Sequence, residues 1–169
     1  GTPIMDETIS PVPIQIGYGA KVAATQKIFA QGALQHTEVR TDIAIMGDGF
    51  FRVQMYDGSF GYTRDGSFKV DSNGQIVTSE GYRLVPEVIL PDGFVYDEIN
   101  ITPDGRIFAK VAGNDTPIPV GQIQLFRFTN NAGLEAAGEN LFKETQASGY
   151  AIPGTPGSPG FGSVYQGYL

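Results

Sequence analysis

From Thr41 onward, apolar and polar residues alternate in short runs divided by turn dipeptides. In FFRVQM (50–55), Phe51, Val53 and Met55 alternate with Arg52 and Gln54; in SFKV (67–70), Phe68 and Val70 alternate with Ser67 and Lys69. That period of two predicts β-strands with one buried and one wet face. IAI (43–45), FGYTR (60–64), QIVTS (75–79), YRLVP, EVILP and FVYDEINI have strand composition. In TPDGRIFAKV (102–111), Ile107, Ala109 and Val111 continue the alternation. PVGQIQLFRFTN (119–130) predicts one longer strand, apolar on both faces and therefore buried on both. The dividers are Asp48-Gly49, Asp57-Gly58, Asp65-Gly66 and Asn73-Gly74, spaced nine, eight and eight residues apart. Such pairs tolerate positive φ and predict hairpin turns. Strands at this spacing predict an all-β domain of short, mostly antiparallel strands, a sandwich or barrel with little helix.

The ends read differently. Residues 1–15 hold three prolines and no period, which predicts an extended arm. IGYGAKVAATQKIFAQGAL (16–34) has weak helix signals and is bracketed by glycines, so extended chain is favoured. Residues 130–149 predict loops with at most one turn, because Gly133, Gly138 and Gly149 interrupt them. Residues 151–163 are irregular, and VYQGYL is a final strand-like run. The expected organisation is an arm over 1–13 and a single β-rich domain over 14–169, with extended N- and C-terminal arms.

Composition narrows the chemistry. The 169 residues contain 23 glycines and 11 prolines, which fits many turns, and 41% hydrophobic residues, enough for a core. Cysteine is absent, which excludes disulfides and thiolate metal sites and fits an extracytoplasmic bacterial compartment. His36 is the lone histidine, so a two-histidine metal site is impossible. The net charge of −7 falls entirely on residues 41–169, because three acids and three bases cancel in 1–40. An acidic body disfavours nucleic acid and anionic membranes as partners. No apolar run is long enough to span a bilayer, and no signal peptide is visible.

Candidate chemistry is sparse. Asp71–Gln75 (DSNGQ) lacks the ligand spacing of a calcium loop and reads as a turn. Asn114-Asp115-Thr116 matches a glycosylation sequon and equally a turn before Pro117. The glycine-rich stretches 17–20 and 154–160 lack the strand, helix and lysine of a phosphate loop. Asp48, Asp65, Asp97 and Glu98 are carboxylates without a pairing pattern. The expectation is no enzyme and no cofactor.

IAIMGDGFFRVQ followed by YTRDGSFKVDSNGQIVTSEGY resembles the shared core of the bacterial flagellar axial proteins, the rod and hook subunits. The first is an apolar-Ala-Ile strand running into Gly-x-Gly-Phe-Phe; the second is a Tyr-Thr-Arg-Asp-Gly-x-Phe hairpin. Three further segments resemble the distal rod branch of that family: IQIGYGAKVAATQKIFAQGAL, VGQIQLFRFTNNAGLEAAGENLFKETQASG and GTPGSPGFGSVYQGYL. The hook branch usually carries a large insertion, and none interrupts this chain.

The resemblance implies a structural subunit of a drive shaft that stacks as a helical tube and passes torque to the hook. Its partners would be copies of itself, hook and proximal rod proteins, and the surrounding peptidoglycan and outer-membrane rings. It places the protein in the basal body, from periplasm to outer membrane. It also implies terminal helices lining the channel. The chain carries no heptad at either end, so it reads as a middle fragment, mainly monomeric by itself. Ile4, Val12, Ile14 and Tyr18 are the candidate subunit contacts, on or beside the charge-poor arm. The acidic surface would keep a turning rod from sticking to its rings, or serve solubility alone. Hook or proximal rod subunits are the near alternatives; a β-rich adhesin or glycan-binding module is the distant one.

Overall fold

A computed structural model describes residues 31–169, of which Ala33–Leu169 form one compact unit. Among the described residues there are fourteen short strands: β1 Ile43–Met46, β2 Phe51–Gln54, β3 Phe60–Thr63, β4 Lys69–Val70, β5 Ile76–Val77, β6 Arg83–Val85 and β7 Asn100–Ile101. They continue as β8 Arg106–Ala109, β9 Ile118–Gln122, β10 Leu125–Arg127, β11 Glu135–Gly138, β12 Leu141–Lys143, β13 Ile152–Gly154 and β14 Ser163–Gln166. Helix among the described residues is limited to single 3-10 turns, Tyr96–Glu98 and Asn131–Gly133. All ladders are antiparallel. The largest sheet has the order β11-β12-β3-β2-β6-β5-β4, and smaller sheets are β1-β14, β10-β13 and β7-β8-β9. The all-β expectation therefore holds.

One apolar core joins the four sheets. Phe51 and Val53 of β2 point into it with Phe68, Ile76 and Leu84. Ile43, Ile45 and Val164 enter from β1-β14, and Ile101, Ile107 and Ala109 from β7-β8-β9. Each fully buried aliphatic or aromatic side chain contributes about 1.5–3 kcal/mol.

The opposite face of β2 is not wet, as the alternation had predicted. Phe50, Tyr62, Phe126, Phe128 and Phe142 cover it in edge-to-face contacts, with ring centroids 4.8 to 6.5 Å apart. Arg52 lies between the Phe60 and Phe126 rings, 4.4 and 4.2 Å from their centroids. This planar cation can occupy an aromatic slot that would reject a smaller, more hydrated ammonium.

Other expectations change. Residues 119–130 do not form one strand: β9 belongs to the sheet with β8, and β10 pairs with β13. The Gln122 side chain marks the break, donating to Asp104 O and Ile123 O at 2.8 Å each. EVILP is no strand; Ile89 makes an isolated bridge to Gln75. Residues 135–143, expected as loop, form the β11-β12 hairpin, whose turn places Glu139 and Asn140 at positive φ. The C-terminal run is built into the domain through the β1-β14 pairing.

Of the four opening turn pairs, Asp57-Gly58 and Asn73-Gly74 close hairpins, β2-β3 and β4-β5. Asp48-Gly49 instead carries the chain from the β1-β14 sheet into the largest one, and Asp65-Gly66 carries it from β3 to β4, which are not neighbours in that sheet. Gly66 lacks positive φ; a Cβ there would lie 1.6 Å from Ile43 O, so close backbone approach demands the glycine.

Candidate functional site: a clamped strand junction and a paired terminal ribbon

The two signature stretches meet in space. The chain leaves β1 through Gly47-Asp48-Gly49 and enters the largest sheet as β2. Arg64, at the end of β3, reaches this junction. Its Nη1 donates to Gly47 O and Gly49 O at 2.8 Å each, and its Nη2 donates to Ile45 O at 3.3 Å. Burial pushes the Arg64 guanidinium below its usual value, and the nearby Asp48 charge partly offsets this. Arginine remains charged regardless. A fork of donors on one stiff plane is the group that can hold three carbonyls of one turn. Asp48 O also accepts from Gly162 N at 2.8 Å, fastening the junction to the segment before β14.

The turn after β3 repeats the device of the turn after β2. Asp57 Oδ1 accepts from Ser59 N and Oγ, at 2.9 and 2.6 Å. Asp65 Oδ1 accepts from Ser67 N and Oγ, at 3.1 and 2.7 Å. The Ser59 bonds hold the Asp57 carboxyl below the ordinary carboxylate value. Asp71 Oδ1 likewise accepts from the Asn73 and Gln75 amides at 2.9 Å each, so this stretch is an Asx turn. Asn114 Oδ1 accepts from Thr116 N at 2.9 Å in the same manner. Glu98 pairs with Lys110 at 3.4 Å, and Asp97 lies beside it in a 3-10 turn. Among the described residues, no three His, Asp or Glu side chains form a group that could hold a metal ion.

The chain's two ends of the described unit lie side by side. Gln35 and Leu169 exchange backbone bonds of 2.8 and 3.0 Å, and His36 stacks on Tyr168 at 4.8 Å. Beneath them, Gln166 knots three segments: its Nε2 donates to Arg40 O at 2.9 Å and Ile99 O at 2.8 Å, and its Oε1 accepts from Ile101 N at 3.0 Å. Arg40 adds Nε to Ile99 O at 3.1 Å. Sequence reasoning placed Gln166 in a terminal motif but had no means of finding its partners, 65 or more residues away.

Exposed apolar groups include Tyr150 at 84% and Tyr56 at 78% exposure, with Met46, Ile89 and Ile152 near half. The candidate contacts Ile4, Val12, Ile14 and Tyr18 lie outside the described residues.

The described residues thus form an all-β unit with a glycine junction clamped by an arginine, and with Gln35 and Leu169 side by side at one edge. The profile described as "Flagellar hook protein FlgE/F/G D1 domain" matches residues 44–109, which span the junction, Arg64 and β8. The chain belongs to this family of flagellar hook and rod axial proteins. Within it, the chain is 48% identical over all 169 residues to the flagellar basal-body rod protein FlgG of Borreliella burgdorferi. It is 41% identical over 163 residues, 96% of the chain, to FlgG of Caulobacter vibrioides. These alignments cover 64% and 62% of the two relatives. The flagellar hook protein FlgE of Helicobacter mustelae is 38% identical over 117 residues, 66% of this chain and 23% of that protein. The chain thus spans just under two thirds of the length of the rod proteins it matches.

Proposed function

We propose that the chain is the β-rich outer part of a flagellar distal rod subunit, a non-enzymatic building block that stacks as a helical tube and transmits torque to the hook. The observation that carries this is the alignment of all 169 residues with a rod protein, against a partial one with a hook protein. The geometry supports it. Short strands, tight Asx turns and a doubly covered central sheet make a stiff body with few long loops. Gln35 and Leu169 lie side by side at one edge of the unit, which suits an outer domain carried on a common inner structure. In this reading residues 1–13 are a contact arm, with Ile4, Val12, Ile14 and Tyr18 meeting a neighbouring copy. Residues 14–169 are the outer domain. The partners are copies of the same subunit, hook and proximal rod proteins and the enclosing rings, in the basal body from periplasm to outer membrane.

The test is placement. Gly113 is exposed with no atom within 4 Å of an added Cβ, so a short epitope inserted after it should not disturb the fold. Gold-labelled antibody on purified hook–basal bodies is expected on the rod once the rings are stripped away. Label confined to the hook would move the chain to the hook branch. Label absent from basal bodies, with tagged protein present in the cell, would refute the reading.

A further inference from the structure

The ribbon formed by the two ends contains a break in regularity that none of the family motifs explains. Gly167 sits at φ +80 and faces Glu38, a non-glycine residue at φ +61. The two residues touch: a Cβ on Gly167 would lie 3.8 Å from Glu38 Cα. Gly167 divides its bonds between two bodies. Its N–H donates down to Asp42 O at 2.7 Å, while its carbonyl accepts from Thr37 N at 2.8 Å and Glu38 N at 3.3 Å above. On the opposite strand, residues 38–41 make an excursion closed by Asp42 N to Val39 O at 3.0 Å.

Below this level everything is locked. Thr41 Oγ1 donates to Phe68 O at 2.8 Å and is 2% exposed; Arg40 and Gln166 are tied to Ile99; Ile43 and Val164 are fully buried. Above it, residues 33–38 and 168–169 are exposed or half-buried, and the bonds that hold them run within the ribbon. A left-handed φ in a non-glycine residue costs about 1–2 kcal/mol and persists where the surroundings use it. Hinges are a few element-terminal residues that absorb backbone rotation.

We infer that Glu38 and Gly167 form a two-strand hinge. It lets the β domain tilt as a rigid body relative to the paired segments 34–37 and 168–169, with Arg40, Thr41 and Gln166 as the latch marking its lower edge. In a stacked tube, such a hinge would let each outer domain settle against its neighbours while the strands stay paired. The hinge is a property of this chain and stands or falls apart from the rod reading.

The test is nuclear magnetic resonance on the 169-residue chain. Residual dipolar couplings of residues 34–38 and 168–169 are expected to fit an alignment tensor separate from that of the body. Amide exchange should respond selectively. In Gly167→Ala there is room for the methyl group, so the perturbation is the φ preference alone. Exchange of the Gln35, Thr37 and Leu169 amides should quicken by about 5- to 30-fold, the equivalent of that preference. The Ile45 and Val164 amides should be unchanged. In Glu38→Gly, the same ribbon amides should slow. One tensor fitting both parts, or exchange in Gly167→Ala that quickens equally in Ile45 and Val164, would overturn the hinge.

Discussion

Replacing Arg64 by methionine tests whether the junction is held as described. Methionine keeps most of the stem's apolar contact but removes every donor. Two of the lost bonds are 2.8 Å long, and the third, at 3.3 Å, is weak. Hydrogen bonds to charged groups contribute about 1.5–3 kcal/mol each. Gly47 is exposed, so water can take over its carbonyl, whereas Gly49 is buried. The loss thus amounts to about one full bond plus a fraction. Against it stands the relief of the desolvation that depresses the Arg64 guanidinium. The net expectation is a loss of about 2 kcal/mol. For a chain of this size that lowers Tm by about 4–8 °C. Urea unfolding followed by circular dichroism would read it as a lower midpoint with an unchanged slope. Arg64→Lys should recover less than half, since an ammonium cannot span both carbonyls along the planar fork. Arg106, exposed and paired with half-buried Asp104 at 3.1 Å, is the control and should leave the midpoint where it is. A stability of Arg64→Met within about 0.5 kcal/mol of the parent would refute the clamp.

The two kinds of glycine should separate cleanly. Gly66→Ala, whose Cβ would collide with Ile43 O, should lose at least about 3 kcal/mol or fail to accumulate as folded protein. Gly58→Ala, at φ +87 with open space around it, should lose only about 1–2 kcal/mol in the same melt. Burial raises the Tyr62 phenol above the ordinary tyrosine value, with Arg52 opposing. Its neutral form is therefore favoured by folding; the stability this gives is full below the unfolded value near 10 and declines as pH rises through the folded one. Ultraviolet titration should show a phenol that ionises late and together with unfolding. Asp57 runs the other way: its folded carboxyl is depressed by Ser59, so the contribution is present above the unfolded value and lost as pH falls through the folded one. Ser59→Ala should move the Asp57 carboxyl resonance back toward the ordinary titration range.

Much of the first half of the fold was legible because its signals are local. Period two placed Phe51, Val53, Phe68 and Val70 on one side, and the core takes all four, Val70 at its edge. Asn73-Gly74 closes a hairpin as its chemistry requires. What escaped was set by distant contacts. Arg52 and Gln54 read as a solvent face because nothing local shows that Phe126 and Phe128, more than seventy residues later, come to cover it. The split of residues 118–127 falls at Ile123-Gln124, with no glycine or proline between the two strands. It depends on Gln122 reaching Asp104 O, and on Ile123 N donating to Gly105 O at 2.7 Å. The β11 strand, Glu-Ala-Ala-Gly, has poor strand propensity and four exposed residues; its partner β12 and its turn hold it in place. The junction's glycines were visible, but their purpose was misread as hairpin closure, since a close approach between chain segments leaves no mark in local sequence. Arg64 stood inside a quoted motif without a role until its three carbonyl partners came together.

Whether this chain is part of the rod is decided by a deletion. The gene would be removed from the source bacterium and its basal bodies purified and imaged by electron microscopy. Non-motile cells are expected, whose basal bodies end in a short proximal rod and carry no hook, restored by the parent gene. Intact, motile flagella in the deletion strain would contradict it.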